Sequence, residues 1–179
     1  MRRHINWLVA VAMLVGLTVG TAATAQAADR PDSWITLKTR LALMTTDGVD
    51  TWDLNVDTVN GVVTLHGKVA SEVAKEKAGS VTKTIDGVKD VKNVLQVVPK
   101  PQRDAVDKRD DQIKDQVEKA FAADPLLDKS GISVASVNKG VVLLSGTAKS
   151  LEAHVKAVET AAKVPGVRRV ASEIKSETE

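Results

Sequence analysis

The spacing of apolar residues changes period in the same order twice along this chain. Ile35, Thr39, Ala42 and Leu43 fall on one face at helical spacing, which predicts a helix over 34–48. Ile113, Val117, Ala120 and Phe121 repeat that spacing later in the chain. Asp47-Gly48 and Asp124-Pro125 break the two stretches. Strict alternation follows at 54–59 and again at 132–137, as expected of half-buried strands. Asn60-Gly61 and Asn138-Lys139-Gly140 supply the positive-φ residues of a hairpin turn. The returning strands are 62–69 and 141–148, where Gly67 and Gly146 imply a bulge or a close backbone approach.

Ser71 and Ser150 then stand where a helix N-cap belongs, with Glu72 and Glu152 in the first turn. Ala74, Ala78, Val81 and Ile85 share a face, as do Ala153, Ala157, Thr160 and Val164. Gly87 and Gly166 are expected to stop these helices. A third strand closes each unit at 88–98 and 167–174. The order is α-β-β-α-β, twice.

The copies align with a constant offset of 79 from Gly61 to Val91 and of 78 before it. The extra residue is read as Lys139, in the second turn. A repeat of this length defines the folding unit. It divides the chain into a lead-in at 28–33, a first domain at 34–98, a connector at 99–109, a second domain at 110–175 and a tail at 176–179. The connector carries Pro99, Pro101 and six charged residues and reads as solvated, although 104–109 could extend the helix after it.

Residues 1–27 read as a secretory signal: Arg2, Arg3 and His4, an apolar stretch, then Ala25-Gln26-Ala27 as the cleavage motif, with cleavage after Ala25 the second choice. The apolar stretch falls short of the roughly 20 residues that span a bilayer. The processed chain is thus expected in the periplasm without a transmembrane segment. It has no cysteine, which excludes disulfides, thiolate metal sites and a lipidated cysteine. The precursor's net charge of +2 vanishes with Arg2 and Arg3, so nothing points to nucleic acid.

G-V-V-T-L-H-G-K-V with D-G-V-K-D-V, and G-V-V-L-L-S-G-T-A with P-G-V-R-R-V, resemble the two signature blocks of BON domains. The resemblance covers 34–175 in two copies. It implies an α+β fold in which two helices pack on one face of a three-stranded mixed sheet. It also implies a non-enzymatic envelope protein linked to osmotic or envelope stress. Family members are thought to bind phospholipid membranes, and some are reported to assist outer-membrane protein biogenesis as chaperones.

Candidate chemistry adds little. His66 and His154 face Ser145 and Lys75 in the other copy and are read as surface histidines, since neither has a partner at metal-ligand spacing. Asp47, Asp50, Asp53 and Asp57 lack the order of a calcium loop, and Asp128 is their only acidic counterpart. They are read as solvating a helix end and a strand face. No nucleophile elbow or phosphate loop occurs, and Gly61, Gly67, Gly87, Gly140, Gly146 and Gly166 are read as turn and bulge residues. No catalytic residue, metal or cofactor is expected.

The basic residues Lys149, Lys156, Lys163, Arg168 and Arg169 are the candidate lipid-binding set, with Lys75, Lys77, Lys83, Lys89 and Lys92 their first-copy counterparts. The expected partner is an anionic phospholipid surface; the alternative is an unfolded client held by a periplasmic chaperone, clasped between the modules. Trp52 is the nearest candidate for an aromatic wedge.

Overall fold

The computed structural model describes residues 30–176. The signal segment expected at 1–27 lies outside them. The first domain comprises α1 (Asp32–Met44), β1 (Leu54–Val59), β2 (Val62–Val69), α2 (Glu72–Lys83), β3 (Asp90–Asn93) and β4 (Gln96–Val97). A 3-10 turn, Lys100–Gln102, leads into α3 (Arg103–Ala122). The second domain continues with α4 (Pro125–Asp128), β5 (Gly131–Asn138), β6 (Val141–Ala148), α5 (Leu151–Ala162) and β7 (Arg169–Ser176). Both sheets are mixed, with an antiparallel hairpin and a parallel third strand, and two principal helices cover one face of each. The class is α+β.

Local chemistry explains the element ends. Ser71 and Ser150 accept the Ala74 and Ala153 N–H, each at 3.2 Å, so both second helices start at a side-chain cap. Those helices end at Lys83 and Ala162, earlier than the glycines suggest. Gly87 and Gly166 instead close the following turn, with φ of +86° and +91°. The first helix also stops early, at Met44. Thr45 and Thr46 turn their hydroxyls back onto the Ala42 carbonyl at 3.1 and 2.7 Å, competing with a further helical turn.

Gly67 and Gly146 are the positions where glycine is required. Their φ values are +112° and +113°, and a Cβ on either would collide with a carbonyl oxygen, Asp53 for one and Gly131 for the other. The backbone approach is close because Lys68 N–H donates to the Asp53 carbonyl at 2.8 Å.

Both hairpin turns have two residues, Asn60-Gly61 and Lys139-Gly140, all at positive φ. Lys139 is therefore not the extra residue of the second copy. The ladder shifts between Val134 and Ser136, so Ala135 is the insertion, absorbed as a β-bulge. With that correction Ser136 stands where Asp57 stands in the first copy.

The third strand of the first domain is broken into β3 and β4, whereas β7 is continuous. At the break the Asn93 side chain accepts Leu95 N–H at 3.3 Å and donates to the Lys75 carbonyl at 2.8 Å. Leu95 is thereby turned into the core, where it is fully buried.

Each core lies between its sheet and helices. Val63, Leu65 and Val69 point into the first, Val142, Leu144 and Ala148 into the second. The alternate residues should face solvent if each domain stood alone. They do not: Thr64, His66, Val141 and Leu143 are all buried. The outer faces of the two sheets meet, β2 against β5, and form a second buried layer.

Candidate functional site

Three polar side chains stand in a line through this seam. His66 Nε2 lies 2.9 Å from Asp57 Oδ2, and His66 Nδ1 lies 2.9 Å from Ser136 Oγ in the other domain. His66 is only 6% exposed, which overturns its reading as a surface residue. Alternation correctly gave it to the outer face; what covers that face is a second domain rather than water. Its hydrogen bond holds the Asp57 carboxyl below the ordinary aspartate range, against the opposing effect of burial.

The serine, histidine and aspartate resemble a nucleophilic relay in distance alone. Ser136 lies within strand β5 and also receives the Asn138 side-chain amide at 3.1 Å. The row is a hydrogen-bonded strut between sheets. His154, half-buried, meets Ser172 Oγ at 2.9 Å within its own domain.

The acidic run is likewise tied down. Arg103, at the start of α3, pairs with Asp53, and Lys100 reaches Asp50 at 3.2 Å. Asp50 also accepts Trp52 N–H at 3.2 Å; that bond first, and Lys100 second, lower its pKa. Lys68 on β2 pairs with Asp107 and approaches Asp110 at 3.8 Å. Asp50, Asp53 and Asp57 thus serve as anchors for the connector and the seam rather than as solvation. Asp47 stays exposed, its carbonyl accepting from Lys77. Among the described residues no three His, Cys, Asp or Glu side chains gather as a metal site.

Asp32 and Asp110 escaped sequence reasoning. Asp32 accepts Asn60 and Gly61 N–H, both at 2.8 Å, and Asp110 accepts Lys139 and Gly140 N–H at 2.7 and 2.9 Å. Each first helix thus clamps its own hairpin turn. The signal was present: both aspartates lie 78 apart, in step with the repeat.

The five predicted basic residues do not form one patch. Lys149 precedes α5 and Lys163 follows it, so twelve residues of helix, about 18 Å, separate them. Lys156 reaches Asp124 at 3.6 Å. Arg168 and Arg169 sit at the start of β7, where Arg168 joins Arg109 and Lys139 around a cavity of about 530 Å³. The corresponding place in the first domain is filled by Arg30, which packs on Gly87, pairs with Asp86 at 2.9 Å and lies 4.9 Å from the Trp34 ring.

The clearest unpartnered surface is on α1. Leu37, Leu41 and Met44 are 67%, 55% and 69% exposed, and Trp52, in the loop beyond, is 92% exposed. At 100° per residue the first three fall within about 60° of one another, opposite buried Ile35, Thr39 and Leu43. Lys38 and Arg40 flank the stripe, and no acidic residue occurs from Ser33 to Thr46. The equivalent positions on α3 are Asp115, Lys119 and Ala122, so the fold does not require this apolar face. Among the described residues no helix is long and apolar enough to cross a membrane.

The BON domain family model matches residues 31–99 and 109–177. Osmotically-inducible protein Y of Escherichia coli (strain K12) is 32% identical over 151 residues, 81% of this chain and 72% of that protein. Outer membrane lipoprotein DolP of Haemophilus influenzae is 32% identical over 117 residues, 65% of this chain and 59% of that protein. Among solved structures the C-terminal domain of CdsD, a structural protein of the Type III secretion system of Chlamydia trachomatis, aligns with 84% of this chain and 67% of its own. It does so with a TM-score of 0.32 and 16% identity. With both halves of the described chain matched by the one family model, the chain belongs to the BON-domain family.

Proposed function

We propose that this protein is a non-enzymatic, exported envelope module, linked to osmotic or envelope stress, that adsorbs to anionic phospholipid; the names of its relatives, one osmotically inducible and one an outer membrane lipoprotein, support that setting. The outer face of α1 carries this reading. An apolar helical stripe with basic flanks is the pattern of an interfacial helix, whose apolar side sinks into the headgroup boundary. Lys38 and Arg40 add about 1 kcal/mol each near an anionic surface. The end of the second domain that holds Lys163, Arg168 and Arg169 supplies a further, purely electrostatic contact; Lys149 and Lys156 lie away from it.

Co-sedimentation with phosphatidylglycerol vesicles tests the reading. Pelleting at low ionic strength that weakens with salt is expected, since exposed charges are screened beyond about 10 Å at 0.1 M. No pelleting at low salt would remove it. A chaperone or assembly factor for outer-membrane or secreted proteins is the other reading the family offers. It could not clasp a client through the middle of the seam, where His66, Val141 and Leu143 are already buried against the facing sheet.

A further inference from the structure

Two sheets have four edges, and three of these are blunted. β5 carries the Ala135 bulge. The third strand of the first domain is broken at Val94-Leu95. β1 is six residues long and gives its Val56 carbonyl to Arg40 at 3.3 Å. Bulges, breaks and short lengths are how sheets refuse another strand. β7 is different: it runs unbroken for eight residues, about 26 Å, and among the described residues pairs only with β6.

Its phase can be read from the repeat. In the first domain Val94 N–H donates to the Leu65 carbonyl at 2.9 Å, and Glu173 is the equivalent residue. Glu173 therefore turns its backbone toward β6, and by alternation Val170, Ser172 and Ile174 turn theirs outward. Of these, the Ile174 N–H is held at 3.3 Å by Ser172 Oγ, a local bond that an incoming strand would exchange.

Beside this edge lies a cavity of about 590 Å³ between the domains, lined by Thr64, Lys92, Ser172, Glu173, Ile174 and the exposed Leu151 among others. Two of its lining atoms are buried without a hydrogen-bond partner, Thr64 Oγ1 and Glu173 Oε1. Thr64 is 1% exposed. Orphaned buried oxygens of this kind are costly and call for donors.

We propose that the β7 edge and this cavity receive an extended polypeptide segment, added as a fourth strand to the sheet of the second domain. The chemistry selects that class of ligand. A carboxylate and a hydroxyl lacking partners need N–H groups, which an extended chain presents in a row. A helix spends its N–H groups internally, and a phosphate would meet Glu173 as a like charge. Backbone pairing at an exposed edge gives affinity, while neighbouring pockets take alternate side chains; Leu151 offers the apolar contact.

The test is an NMR titration of residues 28–179, which hold every described element, with a capped octapeptide of alternating threonine and valine. A second peptide is N-methylated at alternate residues, which removes donors from one edge only. Shifts centred on Val170, Ser172, Ile174 and Thr64 are expected, with at least tenfold weaker binding of the methylated peptide. Thr64→Val should weaken binding about threefold or more without lowering the unfolding temperature, since it removes an unsatisfied buried hydroxyl. Equal binding of the two peptides, shifts that map to α1, or no shift at millimolar peptide would each overturn the proposal. Vesicle pelleting does not bear on it, so the two readings fail separately.

Discussion

His66 in the first domain bonds Ser136 in the second, and Ser136 occupies the place that Asp57, the other partner of His66, holds in the first copy. A single imidazole thus contacts the same structural position twice, once in each repeat. The outer faces of the two sheets are thus tied together through equivalent positions of the repeat. Removing the ring leaves Asp57 and Ser136 without that partner and opens a gap in the seam. His66→Ala is expected to lower unfolding free energy by about 1–3 kcal/mol. If the seam is what couples the domains, the denaturation curve should also split from one transition toward two. A single transition at the wild-type midpoint would show that the strut contributes nothing.

The same row sets an acid limit. Asp57 has a lowered pKa in the folded protein because His66 hydrogen-bonds its carboxylate, so the folded state binds its proton less readily than the unfolded chain. The stability it contributes is present above the unfolded aspartate value of about 3.9 and drains away as pH falls through the lowered native value. Urea midpoints measured from pH 7 to pH 2 should be level near neutrality and fall in the acid range. Asp57→Asn should fall less steeply there. Identical slopes for the two proteins would assign the acid loss to other carboxylates.

The clamping aspartates differ in burial and should differ in cost. Asp110 is 4% exposed and holds two turn N–H groups, whereas Asp32 makes the same pair of bonds closer to solvent. Asp110→Ala strands both donors away from water and is expected to cost about 2–3 kcal/mol, against about 1 for Asp32→Ala, where water can replace the carboxylate. Equal losses in thermal or urea unfolding would contradict that assignment.

These aspartates also mark the limit of what local patterning encodes. Caps, turns and strand alternation are local, so Ser71, Ser150, Asn60-Gly61 and the core valines could be read directly. Asp32 reads as part of the lead-in because a carboxylate that closes a turn 28 residues on has no periodic signature. The inserted residue reads as Lys139 from sequence, since an insertion in the turn and a bulge in the strand before it give nearly the same alignment. His66 reads as a surface residue from sequence because alternation defines two faces and is silent about what covers the second. The ion pairs of Arg103 and Lys68 depend on how the connector folds back, which no spacing within either copy encodes.

Gly67 and Gly48 separate two costs of adding a methyl group. Both have positive φ, but a Cβ at Gly48 meets nothing within 4 Å, whereas at Gly67 it strikes the Asp53 carbonyl. Gly48→Ala should cost about 1 kcal/mol from backbone conformation alone, and Gly67→Ala at least about 2, since the strand must also move. Chemical denaturation of the two variants distinguishes them. If their losses match, the clash is relieved more easily than the Lys68–Asp53 backbone bond suggests.

The α1 stripe gives a sharper test of membrane adsorption than pelleting does, because the fold does not depend on it. Leu37, Leu41 and Met44 point away from Ile35, Thr39 and Leu43, so replacing all three with serine should change stability by under about 1 kcal/mol, the usual range for exposed positions. On phosphatidylglycerol vesicles the same variant should lose most of its binding, since transfer of each such side chain from water is worth about 1.5–3 kcal/mol when complete. Trp52 reports the event independently. It is almost fully exposed in the free protein, so its fluorescence should shift to the blue and become protected from aqueous quencher on binding, while Trp34, already packed against the core, changes less. Arg168→Glu with Arg169→Glu should instead reduce binding at low salt and leave any residual Trp52 shift intact. If the serine variant binds as the parent does while the arginine variant does not, adsorption is electrostatic at the second domain and α1 has no part in it.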